Sequence, residues 1–446
     1  MWDRRGVDAQ PWFDRIGPSD VQQLVTDVGP VPANVGAVLV LDTATDVDVD
    51  ELRRVLATRL SSIPRLRQRL MDAPWGGGRP VWIDHPHFDA GRHVDVVRCP
   101  VPGDPRALME LAVSTVTHPL DRGAPMWRAR IVTGLEGGQV AVVLVLHHVL
   151  ADGIGGLAVL NEMVDGAAAN SINPGAWRQR PAPSAAELRT DAAANRLRAL
   201  REWPRRLAAV APALTELRHS GSGRAPRTSL NVPTGRRRRA VAVDIALDPV
   251  RRAARAHGGT VNDALLAAVS GALEEVLRGR GEHVPSLVVS VPVSARATAT
   301  TGQLGNQVGV MAVRVPTGGS VGARVDHIAL VTRAQKTGRR GSSAALVAPA
   351  FRLIASLGLF RVMIDRQPWV NTFLTTMRGP DQALTIAGAT IRRIIPVTIA
   401  TGNVGVAFAA LSYAGTLTVS VITDPDVVPE QDLLAAAVTR ELHALE

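Results

Sequence analysis

A chain of 446 residues, 46% of them hydrophobic, carries enough apolar surface for a packed core, and its length predicts two or three domains. The net charge of +10 rests on arginine, with Lys336 the only lysine, and a basic surface of this kind favours anionic partners such as phospholipid headgroups or nucleotides. An aromatic content of 3%, without helix-turn-helix, zinc or aromatic-rich strand signatures, argues against nucleic acid, and no apolar run reaches the roughly eighteen residues that a spanning helix needs.

In chain order, residues 35–41 read as a buried strand and residues 49–60 as an amphipathic helix. Residues 129–133 and 139–146 read as two further strands joined by a turn at Glu136-Gly137-Gly138. Composition then shifts toward Ala, Arg and Pro from Asn173 to Gly223, with a helical stretch over 185–217 kinked near Pro204; this reads as an interdomain connector. Arg236-Arg237-Arg238-Arg239 reads as a solvated or interdomain cluster, ahead of a strand marked by Val241, Val243 and Ile245. A broad apolar stripe over 260–277 predicts a helix, and 287–291 a strand. The stretch 344–364, broken by Pro349, Arg352 and Arg361, suits a core or groove helix better than one lying in a bilayer interface. Residues 405–411 and 416–422 predict a hairpin around Ser412-Tyr413-Ala414-Gly415, before a closing helix over 430–445. The class is mixed α/β. A single cysteine, Cys99, and a mixed-charge start at Met1-Trp2-Asp3-Arg4-Arg5 give the expectation of a cytoplasmic protein.

The strand over 139–146 is apolar almost throughout and delivers His147 and His148 at its end. Neighbouring strand residues point oppositely, so one imidazole is expected to face the scaffold and the other a cleft. Asp152-Gly153-Ile154-Gly155-Gly156 then supplies a tight turn into a helix. An imidazole is a free base near neutrality and suits removal of a proton from an attacking hydroxyl. Asp152 is spaced to stabilise the loop, or to orient the imidazole directly. The residues alone also admit a satisfied core pair; a metal site is disfavoured, since adjacent histidines lack the spacing of a helical zinc motif and no cysteine cluster accompanies them. A rival nucleophile, Ser320 in Gly318-Gly319-Ser320-Val321-Gly322, matches G-x-S-x-G, but Pro316-Thr317 separates the glycines from the preceding strand, and Ser320 reads as a helix N-cap.

His147-His148-Val149-Leu150-Ala151-Asp152-Gly153 resembles the HHxxxDG signature of the chloramphenicol acetyltransferase-like superfamily. Further segments follow in order: Ile63-Pro64-Arg65-Leu66-Arg67, Arg79-Pro80-Val81-Trp82, His118-Pro119-Leu120-Asp121, Pro125-Met126-Trp127-Arg128, Val261-Asn262-Asp263-Ala264, Val291-Pro292-Val293-Ser294-Ala295-Arg296, Leu304-Gly305-Asn306 and Leu411-Ser412-Tyr413. Together they resemble the bacterial wax ester synthase/acyl-CoA:diacylglycerol acyltransferase family across nearly the whole chain. The resemblance implies an α/β protein of two acetyltransferase-like domains, each a mixed β-sheet flanked by helices, with a substrate tunnel between them. The expected division is 1–175, 176–235 as connector, and 236–446. It implies acyl-CoA as co-substrate with no resident cofactor or metal, and transfer to diacylglycerol or a long-chain alcohol, with association at a membrane or lipid droplet surface. His148 matches the family's general base and His147 its structural partner, while Asp152 and Gly153 shape the loop; Asn262, Asp263, Ser294, Arg296 and Asn306 line the second half's side of the cleft. Thr260 to Asp263 is equally a capping box that opens the apolar helix, and Trp82 and Trp127 suit core anchors. Where the family commonly carries Asn-Val-Pro-Gly-Pro, this chain has Thr376-Met377-Arg378-Gly379-Pro380, a departure that bears on the acceptor. The alternatives are an acyltransferase for another hydroxyl or amine, and a non-catalytic lipid-binding homologue.

Overall fold

The computed structural model describes residues 12–42, 47–150, 153–166, 178–201, 223–294, 308–337 and 358–445. The N-terminal half contains β1 (Asp14–Arg15), α1 (Pro18–Thr26), β2 (Asn34–Leu41), α2 (Val49–Ser62), β3 (Gln68–Met71), β4 (Val81–Asp84), β5 (Val94–Arg98), α3 (Pro105–Val116), β6 (Trp127–Thr133), β7 (Val140–His147), α4 (Gly153–Met163) and α5 (Ala185–Arg201). The C-terminal half continues with β8 (Arg239–Ala246), α6 (Leu247–Ala256), α7 (Val261–Gly279), β9 (Ser286–Ser294), β10 (Val308–Pro316), α8 (Val321–Thr337), α9 (Phe360–Ile364), β11 (Thr372–Arg378), β12 (Thr385–Ile386), β13 (Ala389–Val397), β14 (Val406–Tyr413), β15 (Thr416–Thr423) and α10 (Gln431–His443).

Two six-stranded sheets organise these elements, in the orders β12-β13-β2-β7-β6-β5 and β10-β9-β11-β14-β15-β8. The first sheet is completed from the other half of the chain: β13 runs antiparallel to β2, with Ile395 opposite Val38. The halves are therefore interlocked through the hairpin β12–β13, although it lies within the span 236–446. A small third sheet, β1-β4-β3, carries α5 on it; Leu188 joins Phe13, Val81 and Ile83 in a separate apolar cluster, and Arg15 pairs with Asp191. Of the helix expected over 185–217, only the part to Arg201 lies within the described residues.

Periodicity explains the layers. On α2, Leu52, Leu56 and Leu60 recur at one helical face and are all fully buried, each worth roughly 1.5–3 kcal/mol over an exposed position. α7 is buried nearly all round because α6, α8, α10 and the second sheet enclose it, which accounts for its wide apolar stripe. The expected hairpin is β14–β15; β14 starts one residue later than expected and runs two residues further toward the turn, and β15 ends one residue later. Its two-residue turn has positive φ at both Ala414 (46°) and Gly415 (82°), the twist that matches strands of right-handed twist.

The arginine cluster splits. Arg236 and Arg239 are exposed as expected, but Arg238 is buried, donating to the Ala400 carbonyl at 2.7 and 3.0 Å and paired with the fully buried Asp424 at 3.3 Å. A buried guanidinium needs this many partners to replace its water. Among the described residues, no helix is long and apolar enough to cross a membrane.

Candidate active site

All eight residues of β7 are buried, held between β2 and β6, so the strand end is a rigid platform. The two histidines differ in burial there. His147 is 2% exposed and both its ring nitrogens are engaged: Nδ1 accepts the Val149 N–H at 3.1 Å, and Nε2 lies 3.1 Å from Asp27 Oδ2. This network assigns the proton to Nε2, which donates to the carboxylate. Asp27 also accepts from Arg122 at 2.7 Å and from the Ala33 N–H at 2.8 Å. Burial pushes the Asp27 carboxyl up, but the hydrogen bonds from His147, Arg122 and Ala33 outweigh it and bring it down to about 2.

His148 is half-buried, and its N–H donates to the Ala33 carbonyl at 2.8 Å. Ala33 thus tethers both histidines, one through Asp27 and one directly. Asn34, opposite His147 in β2, fastens the same strand end by donating to the carbonyls of Val116 and His118 at 2.9 and 3.0 Å. Sequence reasoning missed Asp27 and Arg122. Asp152, the acid it placed beside the motif, lies outside the described residues, as do Arg296 and Asn306.

Gly153 opens α4 against the second half of the chain. A Cβ there would stand 3.0 Å from the Met377 sulfur and 3.2 Å from its Cγ, so only glycine leaves Met377 where it is. Met377 belongs to β11, and its neighbour Thr376 points to the opposite face of that sheet, where its hydroxyl donates to Asn262 Oδ1 at 2.9 Å. Consecutive residues of one strand therefore touch the HHxxxDG helix on one side and the Asn262-Asp263 motif on the other. They fall in the segment where the chain departs from the family pattern, a signal the sequence offered without its meaning. Arg378 is exposed and pairs with Asp381 at 2.9 Å.

Asn262 is half-buried near the start of α7. Asp263 is 2% exposed and closes the capping box: Oδ2 accepts the Thr260 N–H and hydroxyl at 2.8 and 2.7 Å, and Oδ1 accepts from Thr332 of α8 at 2.9 Å. Its carboxylate fixes where α7 begins, and through that the backbone of Asn262. Ser294 ends β9 opposite Val308 of β10, with its side chain outside the described residues. Trp127 is buried and donates its indole N–H to the Leu66 carbonyl at 2.7 Å; Trp82 is likewise buried. Ser320 caps α8, its hydroxyl oxygen 3.3 Å from the Ala323 nitrogen. A cavity of about 450 Å³ lies elsewhere, between the first sheet and β8–β15; Val40, Gln139 and Ile395 line it at the far end of the sheet from His147.

Residues 16–265 match the wax ester synthase/diacylglycerol acyltransferase catalytic domain, and residues 304–446 match the C-terminal domain of the same family. A probable diacylglycerol O-acyltransferase of Mycobacterium tuberculosis is 31% identical over 414 residues, covering 91% of this chain and 89% of its own length. A putative diacylglycerol O-acyltransferase of the same organism is 29% identical over 451 residues, 94% of this chain and 87% of its own. Among solved structures, a wax ester synthase/diacylglycerol acyltransferase from Marinobacter aquaeolei matches with a TM-score of 0.68 at 22% identity, covering 97% of this chain and 99% of that one. A starter condensation domain of rhizomide synthetase in complex with C8-CoA matches with a TM-score of 0.63 at 15% identity, over 97% and 93% of the two chains. At these identities the structural likeness is one of fold, the mixed α/β architecture expected from the motif series. With a relative 31% identical over most of both chains, and the catalytic-domain match alone spanning more than half the sequence, the chain belongs to the wax ester synthase/diacylglycerol acyltransferase family.

Proposed function

We propose that the chain transfers a long-chain acyl group from acyl-CoA to the hydroxyl of diacylglycerol or a long-chain alcohol, with His148 as general base. The observation that carries this is the unequal state of the histidine pair. His147 is 2% exposed and fixed by Asp27 and the Val149 N–H, while His148, the next residue, is half-buried rather than enclosed. His148 takes the hydroxyl proton as the oxygen attacks the thioester carbonyl. The new C–O bond forms, the oxyanion collapses, the C–S bond breaks, and the CoA thiolate recovers the proton from the imidazolium. No acyl-enzyme is required. Holding the two substrates together between the halves supplies much of the rate. Ser294, Arg296 and Asn306 line that passage by family resemblance, Gly153 keeps its wall open beside Met377, and Asp152 shapes the loop. The acceptor resides in a lipid phase, so the basic surface serves at a membrane or droplet face on the cytoplasmic side.

The relatives' names and the family description support this reading. It is tested by incubating purified protein with hexadecanoyl-CoA and, separately, diacylglycerol, monoacylglycerol and hexadecanol. Free CoA is expected in step with ester formed from at least one of them. A protein that releases no CoA with any acceptor overturns the proposal.

A further inference from the structure

The small sheet β1-β4-β3 and α5 take no part in the chemistry described above, yet the loop between β3 and β4 carries the most exposed large apolar side chain among the described residues: Trp75 is 95% exposed. Indoles are ordinarily well buried, so a ring left in water is informative. The loop itself is fixed. The Gly77 N–H donates to the Pro74 carbonyl at 2.7 Å, and Gly76 has a φ of 79°, as the third position of a tight turn with Trp75 at its tip. Two arginines of α5 hold the turn from outside: Arg189 donates to the Trp75 carbonyl at 3.3 Å and Arg196 to the Gly76 carbonyl at 3.0 Å. Gly78 closes the loop on the helix, since a Cβ there would stand 3.2 Å from the Cβ of Ala192. The backbone is tied down while the ring has no packing of its own.

The helix continues this face. At about 100° per residue, Leu188 and Ala192 turn toward the small sheet, where they are buried, and Arg189, Ala193, Arg196, Leu197 and Leu200 share the outward sector beside the loop. Leu197 is 51% exposed and Leu200 67%. No acid falls in that sector: Asp191 lies on another side and pairs with Arg15, and Glu187 receives the Ser184 hydroxyl. The loop's own acid is Asp72, three residues before Trp75. Arg189 and Arg196 bind only neutral carbonyls among the described residues, so their charges stay uncompensated. An indole at a turn tip and two leucines, set among unneutralised guanidinium groups, match the boundary of an anionic bilayer, where the ring lies at headgroup depth and the cations meet phosphates.

We propose that the Trp75 loop and the outward face of α5 dock the protein on a phospholipid surface that carries anionic headgroups. The inference rests on the acyl-transfer reading for its purpose, delivery of the chain to a lipid acceptor, though not for the binding itself.

Co-sedimentation of the full chain with phosphatidylcholine vesicles, with and without phosphatidylglycerol, tests the proposal. Wild type is expected to partition at least about tenfold more strongly onto the anionic vesicles, with the difference fading as salt rises. Trp75→Ala and, separately, the Leu197→Gln/Leu200→Gln double variant are each expected to weaken that partition about tenfold. Melting temperatures should hold, because these side chains are exposed. Equal binding of wild type to both kinds of vesicle, or variants that bind as wild type does, overturn the inference. So does gel filtration in which wild type runs as a dimer and Trp75→Ala as a monomer, which would give the face to a second copy of the chain. Vesicle binding needs no turnover, so a protein that binds as expected but transfers no acyl group overturns the acyl-transfer reading alone.

Discussion

In the N-terminal half the site residues stand at the end of a strand, and what fixes them is a carboxylate 120 residues away; in the C-terminal half they stand at the start of a helix, fixed by a threonine and an aspartate three residues apart. Locally the strand end holds the imidazole by one hydrogen bond only, from the Val149 N–H to Nδ1, because its other backbone groups are spent on the neighbouring strands. It relies on the largely buried Asp27, which accepts from the His147 ring inside and from the exposed Arg122 outside. The helix start has free N–H groups to be capped, so the same task is done by short-range hydrogen bonds. The comparison teaches that the first arrangement depends on tertiary packing and on pH, and the second mainly on local sequence.

The sharpest way to break this contrast lies within the histidine pair. His148→Ala is expected to lower kcat by about a hundredfold to ten-thousandfold, the usual worth of a general base, with little change in melting temperature. His147→Ala is expected to act the other way round, destabilising the fold by roughly 1–3 kcal/mol as Asp27 loses a donor in a buried setting. Steady-state rates and melts on both variants check this. If His147→Ala keeps wild-type stability, the scaffold role assigned to its ring fails.

Asp27→Asn sharpens the pH side. The folded carboxyl titrates at about 2 against an ordinary 3.8, so its ionised form stabilises the native state by about 2 kcal/mol at neutral pH. Because the folded value is depressed, that contribution is fully present well above pH 4 and fades as pH falls from about 4 toward 2. Urea midpoints from pH 3 to 6 are expected to show a wild-type advantage over Asp27→Asn that is constant at the upper end and shrinks toward the lower. An advantage that grows on acidification would reverse the assignment.

Much of the fold was legible because burial imposes a period. The all-apolar β7, the wide stripe of α7 and the hairpin β14–β15 each announce themselves locally, and so does the Thr260–Asp263 box. What escaped is what pairs at long range. Nothing around Asp27 marks it as the partner of His147, since an acid in a loop has the same local signature whether solvated or buried. Arg238 belongs to the same arginine run as the exposed Arg236 and Arg239 and differs in having Asp424 and the Ala400 carbonyl within reach. Likewise β13 is a plain strand in sequence; its residence in the first sheet is decided by the register with β2. At the site, the histidine motif was readable as chemistry, but the link between its glycine and Asn262 through Met377 and Thr376 was not.

That link gives a smaller effect. Gly153→Ala places a Cβ 3.0 Å from the Met377 sulfur, and a thioether on a flexible chain can yield by a few tenths of an ångström. The variant is expected to fold, with a fewfold loss of kcat as Met377 shifts β11 beside Thr376. Met377→Ala removes the obstacle, so the pair is expected to couple by about 1 kcal/mol in a double-variant cycle. Strict additivity would mean that the two halves do not communicate through this contact.

The smallest effect separates a motif from its meaning. Ser320 satisfies G-x-S-x-G, but it follows Thr317, Gly318 and Gly319 rather than a strand, and its oxygen faces the Ala323 nitrogen at the start of α8. A nucleophile elbow needs the serine thrown clear at a strand-to-helix turn, with a histidine beside it. A cap needs only the helix N–H groups. Ser320→Ala is therefore expected to lower stability by about 1 kcal/mol and leave acyl transfer unchanged, as melts and CoA release would show. Loss of transfer at unchanged stability would bring the serine back into the chemistry and take the base role away from His148.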